Sequence, residues 1–200
     1  MIFVNHVNPL VNHLPGKIFS FEECLNLNPP QRRGLVEVNN LNTMRYYTFG
    51  DEPAISPDNF FMNEALKEAK LALAEDEIPI GAVVVCNGQI IGRGHNLTER
   101  LNDVSAHAEM QALTAAANFM GGKYLKECTL YVTMEPCVMC AGASYWFQLS
   151  KIVFGAYDTK LGFGRLNQKI THPKTLITGG IRENECAELV RSFFKGKRSK

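Results

Sequence analysis

Two hundred residues and 22.3 kDa hold one domain, or one domain with an appendage. With 46% hydrophobic residues, 20% charged residues and a formal net charge of +1, the composition excludes disordered, collagen-like and fibrous chains, and also a polycation that binds nucleic acid through overall charge. No apolar run approaches the roughly 18 residues needed to span a bilayer, no basic leader precedes an apolar stretch at the N-terminus, and six cysteines are too few for a disulfide scaffold, so a cytoplasmic protein without membrane contact is expected.

Residues 1–56 hold four basic and five acidic residues and are rich in Asn and Pro, with no sustained period of 2 or 3.6. They read as an N-terminal extension: a disordered segment, or sequence upstream of the true start with Met44 or Met62 as initiator. An ordered arm packing on a partner is the alternative. Residues 57–200 read as the folded domain. Ser56 is placed to cap a helix with Pro57 at its first position, and Phe61, Ala65, Leu66, Ala69, Ala72 and Leu73 form an apolar face at helical spacing. The apolar run Ile80 to Cys86 predicts a buried strand, Asn87-Gly88 a tight hairpin turn, and Gln89 to Arg93 the returning strand. After a polar loop, Ala106 to Phe119 predicts a helix ended by Gly121-Gly122. A strand over Thr129 to Thr133, a helix over Cys137 to Phe147, strands at Ile152 to Phe154 and Leu176 to Thr178, and an amphipathic helix from Glu183 to Lys195 complete the chain. The order α-β-β-α-β-α-β-β-α predicts an α/β fold with a mixed sheet flanked by helices. The last ten residues are basic (Arg191, Lys195, Lys197, Arg198, Lys200) with no acidic residue among them.

Two segments carry the chemistry, and each opens a predicted helix. One is Ala106-His107-Ala108-Glu109; the other is Glu135-Pro136-Cys137-Val138-Met139-Cys140. Cys137 and Cys140, three residues apart on a first turn, point their thiols the same way, and a helix N-terminus favours the thiolate. His107 supplies a third ligand. Three protein ligands leave one position for water, the arrangement of a catalytic zinc site, and no second C-x-x-C is present to complete a four-cysteine cage. Cys24, Cys86, Cys128 and Cys186 are scattered singly, and Cys86 and Cys128 read as buried core thiols. Glu109 is expected to face the open position without binding metal, taking a proton from water and returning it to a substrate nitrogen. That is hydrolytic deamination: hydroxide adds to an amidine-like ring carbon, nitrogen is protonated and ammonia leaves. H-x-E with P-C-x-x-C is an established signature of zinc nucleobase deaminases, matched here rather than derived.

The chain from about residue 58 to 198 closely resembles the bacterial tRNA-specific adenosine deaminases, which convert the wobble adenosine of a tRNA anticodon to inosine. The resemblance is carried by Ile78-Pro79-Ile80-Gly81-Ala82-Val83-Val84-Val85, by Ala106 to Met110, by Leu130 to Ala143, by Val153-Phe154-Gly155-Ala156 and by Glu185-Cys186-Ala187. It implies a cytidine-deaminase-like three-layer α/β/α sandwich with a mixed five-stranded sheet, a homodimer, and one Zn2+ per subunit on His107, Cys137 and Cys140, with Glu109 as proton shuttle. It also implies that Asn96 and the backbone N–H of Ala108 contact the base. Phe193 and Phe194 are expected to offer a stacking face, and the basic C-terminal residues to meet phosphates, for a tRNA anticodon stem-loop. Tyr145-Trp146 is similar to the related guanine deaminases, and Phe163 and Arg165 depart from the expected small-residue loop. Two other readings fit the same residues: a deaminase of free guanine, cytosine or nucleosides, and a non-catalytic zinc-stabilised RNA-binding module. His6, His13, His95 and His172 read as surface or packing residues.

Overall fold

The protein is seen here as a computed structural model that describes residues 18–19, 35–40, 43–48 and 56–198. The chain divides into two units, Met1–Ala54 and Ile55–Lys200. In the first, β1 (Ile18–Phe19), β2 (Leu35–Asn40) and β3 (Thr43–Thr48) form an antiparallel sheet of order β1-β3-β2, with Asn40 opposite Thr43 and Leu35 opposite Thr48. The sequence reading placed no element there. Val36 and Val38, and then Thr43, Tyr46, Tyr47 and Thr48, are strand-forming residue types, but Glu37, Asn39, Asn40 and Arg45 interrupt them, so neither segment gives an unbroken apolar run. The rest of residues 1–55, on which the expectations of disorder and of a later start also fall, lies outside the described residues.

In the second unit four α-helices and a five-stranded sheet are described: α1 (Pro57–Ala74), β4 (Gly81–Cys86), β5 (Gln89–His95), α2 (Ala108–Met120), β6 (Cys128–Met134), α3 (Val138–Phe147), β7 (Lys151–Ala156), β8 (Leu176–Thr178) and α4 (Glu183–Arg198). Strand order is β5-β4-β6-β7-β8. β4 runs antiparallel to both β5 and β6, while β6, β7 and β8 run parallel. β5, β6 and β7 therefore share one direction, and their C-terminal ends lie along one rim of the sheet.

The apolar run of β4 is continuous because both its faces are covered. Its period of 2 sends Ala82, Val84 and Cys86 into one core cluster with Ala108, Ala112, Leu113 and Ala116 of α2. Val83 and Val85 enter the other, with Met62, Ala65 and Leu66 of α1 and Cys186 of α4. The result is three layers: α1 and α4 on one face, α2 and α3 on the other. Ser56 caps α1 by accepting from the Asn59 N–H, with Pro57 in the first turn. Leu73, assigned from spacing to the buried face, is instead 41% exposed. Glu64 and Glu68 of the same helix are buried, because Arg93 of edge strand β5 donates to both. Asn87 (φ 49°) and Gly88 (φ 76°) make the hairpin turn, both in the left-handed region that a type I′ turn requires.

α2 begins two residues later than the sequence pattern indicates, with His107 in extended backbone as its N-cap. It lies close on β5. A Cβ on Gly92 would stand 2.3 Å from the Ala112 carbonyl oxygen and 2.8 Å from the Ala116 nitrogen. Gly92→Ala should therefore force the helix outward, at about 1–3 kcal/mol, and lower the Tm by about 3–10 °C. A thermal melt checks this, and a drop under about 2 °C would show that the helix can move freely.

Candidate metal centre

The rim formed by the ends of β5, β6 and β7 carries the chemistry-bearing residues. β6 runs out into Glu135-Pro136, and Cys137 is the N-cap of α3 with Cys140 in its first turn. His107 holds the same position on α2. Both helix N-termini thus open onto one spot, and the ligand atoms of His107, Cys137 and Cys140 lie within 4.8 Å of one another. The His107 Nδ1 is 3.6 Å from the Cys137 sulfur and 3.5 Å from the Cys140 sulfur. A tetrahedral ion with bonds of about 2.3 Å to sulfur and about 2.0–2.1 Å to nitrogen sets those atoms about 3.6 Å apart. The donor set, two sulfurs and an imidazole, suits zinc, and the measured spacing fits it.

Charge is already poised for a cation. Hydrogen bonds from the Cys140 thiol and from His107 hold Cys137 well below the usual thiol range. Cys140, the donor in that pair and itself buried, is pushed well above it. His107 is raised, chiefly by its bond to Cys137. Glu109 sits in the first turn of α2, 4% exposed, and burial pushes its carboxyl up to about 7. It stands two residues after His107, and the neighbouring Cys140 thiol works against that rise. Ala108 is the first residue of α2, where a backbone N–H has no partner inside the helix. Asn96 follows β5 and is 4% exposed. The Leu97 N–H donates to the Ala106 carbonyl, holding Asn96 beside the start of α2.

These features have counterparts in known proteins. Residues 55–156 match the family described as the cytidine and deoxycytidylate deaminase zinc-binding region. The tRNA-specific adenosine deaminase of Bacillus subtilis (strain 168) is 42% identical over 151 residues, which cover 73% of this chain and 94% of that protein. That of Agrobacterium fabrum (strain C58) is 41% identical over 143 residues, covering 69% and 94%. The chain belongs to the tRNA-specific adenosine deaminases. As a deaminase of this family it is a zinc-dependent hydrolase. A solved structure from studies of A-to-I editing by tRNA:A34 deaminases at the wobble position of transfer RNA has a TM-score of 0.62 and 40% identity, covering 65% of this chain and 98% of that one. A guanine deaminase from Nitrosomonas europaea shares the fold, with a TM-score of 0.62 at 21% identity over 79% of this chain and 98% of that one.

Not every expected residue of the deaminase gathers at this centre. Phe193 and Phe194 stack edge-on at 5.4 Å on α4. Phe193 lines a groove between α4 and α1, in the layer on the other side of the sheet from α2 and α3. Phe194 is 44% exposed, and the basic end of the helix follows both. Tyr145 and Trp146 also stack edge-on, on α3, with His172 against Tyr145. His95 lies between Glu68 and Glu75. Cys86 and Cys128 are buried, opposite one another on β4 and β6, as core thiols.

Two carboxylates escaped the sequence reading. Glu135, within the second motif, is buried and accepts from the Asp158 and Gly164 backbone N–H groups at 3.0 and 2.8 Å. It thereby fixes the loop after β7, and Gly162 and Gly164 leave room for it: a Cβ on either would meet its carboxylate at 2.5–2.7 Å. Glu77, 1% exposed, binds the loop that carries Asn96. Its only sequence signal is its place just before the Ile78-Pro79 pair that opens the resemblance.

Proposed function

We propose that this enzyme deaminates the wobble adenosine of a tRNA anticodon to inosine, releasing ammonia. The observation that carries the reading is the His107–Cys137–Cys140 triad at two converging helix N-termini, with buried Glu109 in the first turn of the helix that His107 caps, supported by relatives named for this reaction. Bound zinc supplies Lewis acidity that brings the pKa of water from about 15.7 to about 7. Glu109 takes the proton of the attacking water, delivers it to the ring nitrogen beside the reacting carbon, and passes a second proton to the departing amine. Its buried, raised carboxyl suits a group that both accepts and gives a proton near neutral pH. The Ala108 N–H and Asn96 hold the base. A target in an anticodon loop is already unpaired, so it enters the pocket at low cost.

In the same reading residues 57–200 form the deaminase domain, and residues 1–56 are an extension outside the chemistry. Phe193, Phe194 and the basic residues beyond them, in the layer away from the metal centre, are left to meet nucleotides and phosphates farther from the target. The exposed apolar residues Val138 and Met139, between the two cysteine ligands, and Leu101 and Val104, in the loop before His107, give a second copy a surface for a homodimer. Among the described residues no helix is long and apolar enough to cross a membrane, and a tRNA substrate places the enzyme in the cytoplasm.

The deciding experiment incubates zinc-loaded protein with an anticodon stem-loop bearing adenosine at the wobble position, with free guanine, cytosine and adenosine as competitors. Inosine is expected in the RNA by nucleoside mass analysis, at a kcat/KM at least about 100-fold above any free base. Faster turnover of a free base would replace the RNA reading with that of a small-molecule deaminase. No turnover of any substrate would leave a zinc-stabilised RNA-binding module.

A further inference from the structure

Asn96 has a side-chain amide with two faces, one donating and one accepting, and the fold fixes which is which. Its Nδ2 donates to the Glu77 Oε2 at 2.9 Å and to the Thr98 hydroxyl at 3.1 Å, which uses both N–H groups. The Thr98 hydroxyl in turn donates to Glu77 Oε2 at 3.4 Å. The other oxygen of Glu77 accepts the Arg100 backbone N–H at 2.8 Å. A carboxylate only accepts, so the Asn96 amide cannot be turned round against it. No hydrogen bond within the described chain reaches the Asn96 Oδ1. Among the described residues no fully buried side-chain nitrogen or oxygen lacks a partner. Oδ1 is therefore the atom through which this 4%-exposed residue reaches open space.

We infer that Glu77 is a positioning residue for the deamination: it locks Asn96 so that a carbonyl oxygen, not an amide N–H, faces the nucleoside. The contact then takes a hydroxyl or amino hydrogen of the substrate rather than a ring nitrogen, whose lone pair would meet a like charge. Glu77 itself touches no substrate. The inference rests on the deaminase reading and on Asn96 as a base or sugar contact.

Glu77→Gln tests it, because glutamine has one acceptor where glutamate has two. The Arg100 backbone N–H cannot flip and takes that acceptor. The new NH2 then faces Asn96, whose amide turns over and presents its N–H to the substrate. In the zinc-loaded full-length enzyme, kcat/KM on the stem-loop should fall about 10–100-fold, with zinc content and Tm close to wild type. In an Asn96→Ala background the same change should cost under about threefold, since Glu77 acts through Asn96. Glu77→Gln combined with Asn96→Asp moves the carboxylate across the pair, restores an acceptor toward the substrate, and should regain at least about tenfold over Glu77→Gln alone. A Glu77→Gln enzyme within about threefold of wild type, an equal loss in the Asn96→Ala background, or no rescue by the double variant would each overturn the inference. If Glu77→Gln does not fold, the wild-type Asn96 NH2 decides. Slow exchange with water by NMR supports the lock, and exchange as fast as that of surface amides overturns it. That NMR measurement needs no turnover, so it reads the lock even if the stem-loop proves not to be the substrate.

Discussion

Glu109→Gln should lower kcat on the stem-loop by about 100- to 10,000-fold, the range spanned by positioned proton transfer, while one zinc per chain and the wild-type Tm are retained. Glutamine keeps the size of the side chain and its place in the first turn of α2, but it cannot take a proton from water or return one to the purine. Loss is expected in kcat rather than KM, because the group acts on charge that moves as the reaction proceeds. The change also removes a buried ionisable group, so stability should not suffer. Single-turnover kinetics with metal analysis on the same sample make the measurement. A variant that retains zinc and loses less than about tenfold in kcat would take Glu109 out of the proton path and leave the pocket without a base.

Cys140→Ala should cost more. The side chain is 1% exposed, and its sulfur stands 3.5 Å from the His107 Nδ1. Removing it leaves two ligands, too few to hold the ion against dialysis. Zinc content should fall from about one per chain to under roughly 0.1, activity should drop below detection, and the Tm should fall because metal binding to the folded state stabilises it. Chelation of the wild type should give the same Tm loss, reversed by added zinc and not by magnesium, whose preference is for oxygen ligands. Cys186→Ala, a core change on the other face of the sheet, should leave the metal content untouched. A Cys140→Ala protein that keeps a full complement of zinc would mean that the ion is held elsewhere.

Legibility followed the range of the signal. His107, Glu109, Cys137 and Cys140 could be read because each pair sits within four residues and a helix start turns that spacing into geometry. Asn87-Gly88 could be read because turn chemistry is local. β4 gave a continuous apolar run because it is buried on both faces, and the two core clusters follow from its alternation. Glu77 could not be read: its partner Asn96 is 19 residues away, and only the returning hairpin brings them together. Leu73 misled because spacing alone cannot tell a helix flank from its face, and Glu64 and Glu68 are buried only because Arg93 arrives from β5. β2 and β3 could not be read because polar residues interrupt both, leaving no apolar run like that of β4.

Glu135 grips the segment after β7 solely through the amide hydrogens of Asp158 and Gly164. Main-chain anchorage is blind to residue identity. Apart from the two glycines that make room for the carboxylate, the positions between can diversify while the ring of chain around the reactive centre keeps its shape. Phe163 stands among those positions and Arg165 directly after them, and this stretch is where one scaffold can be retuned among nucleic-acid targets without disturbing the ion or the acid beside it.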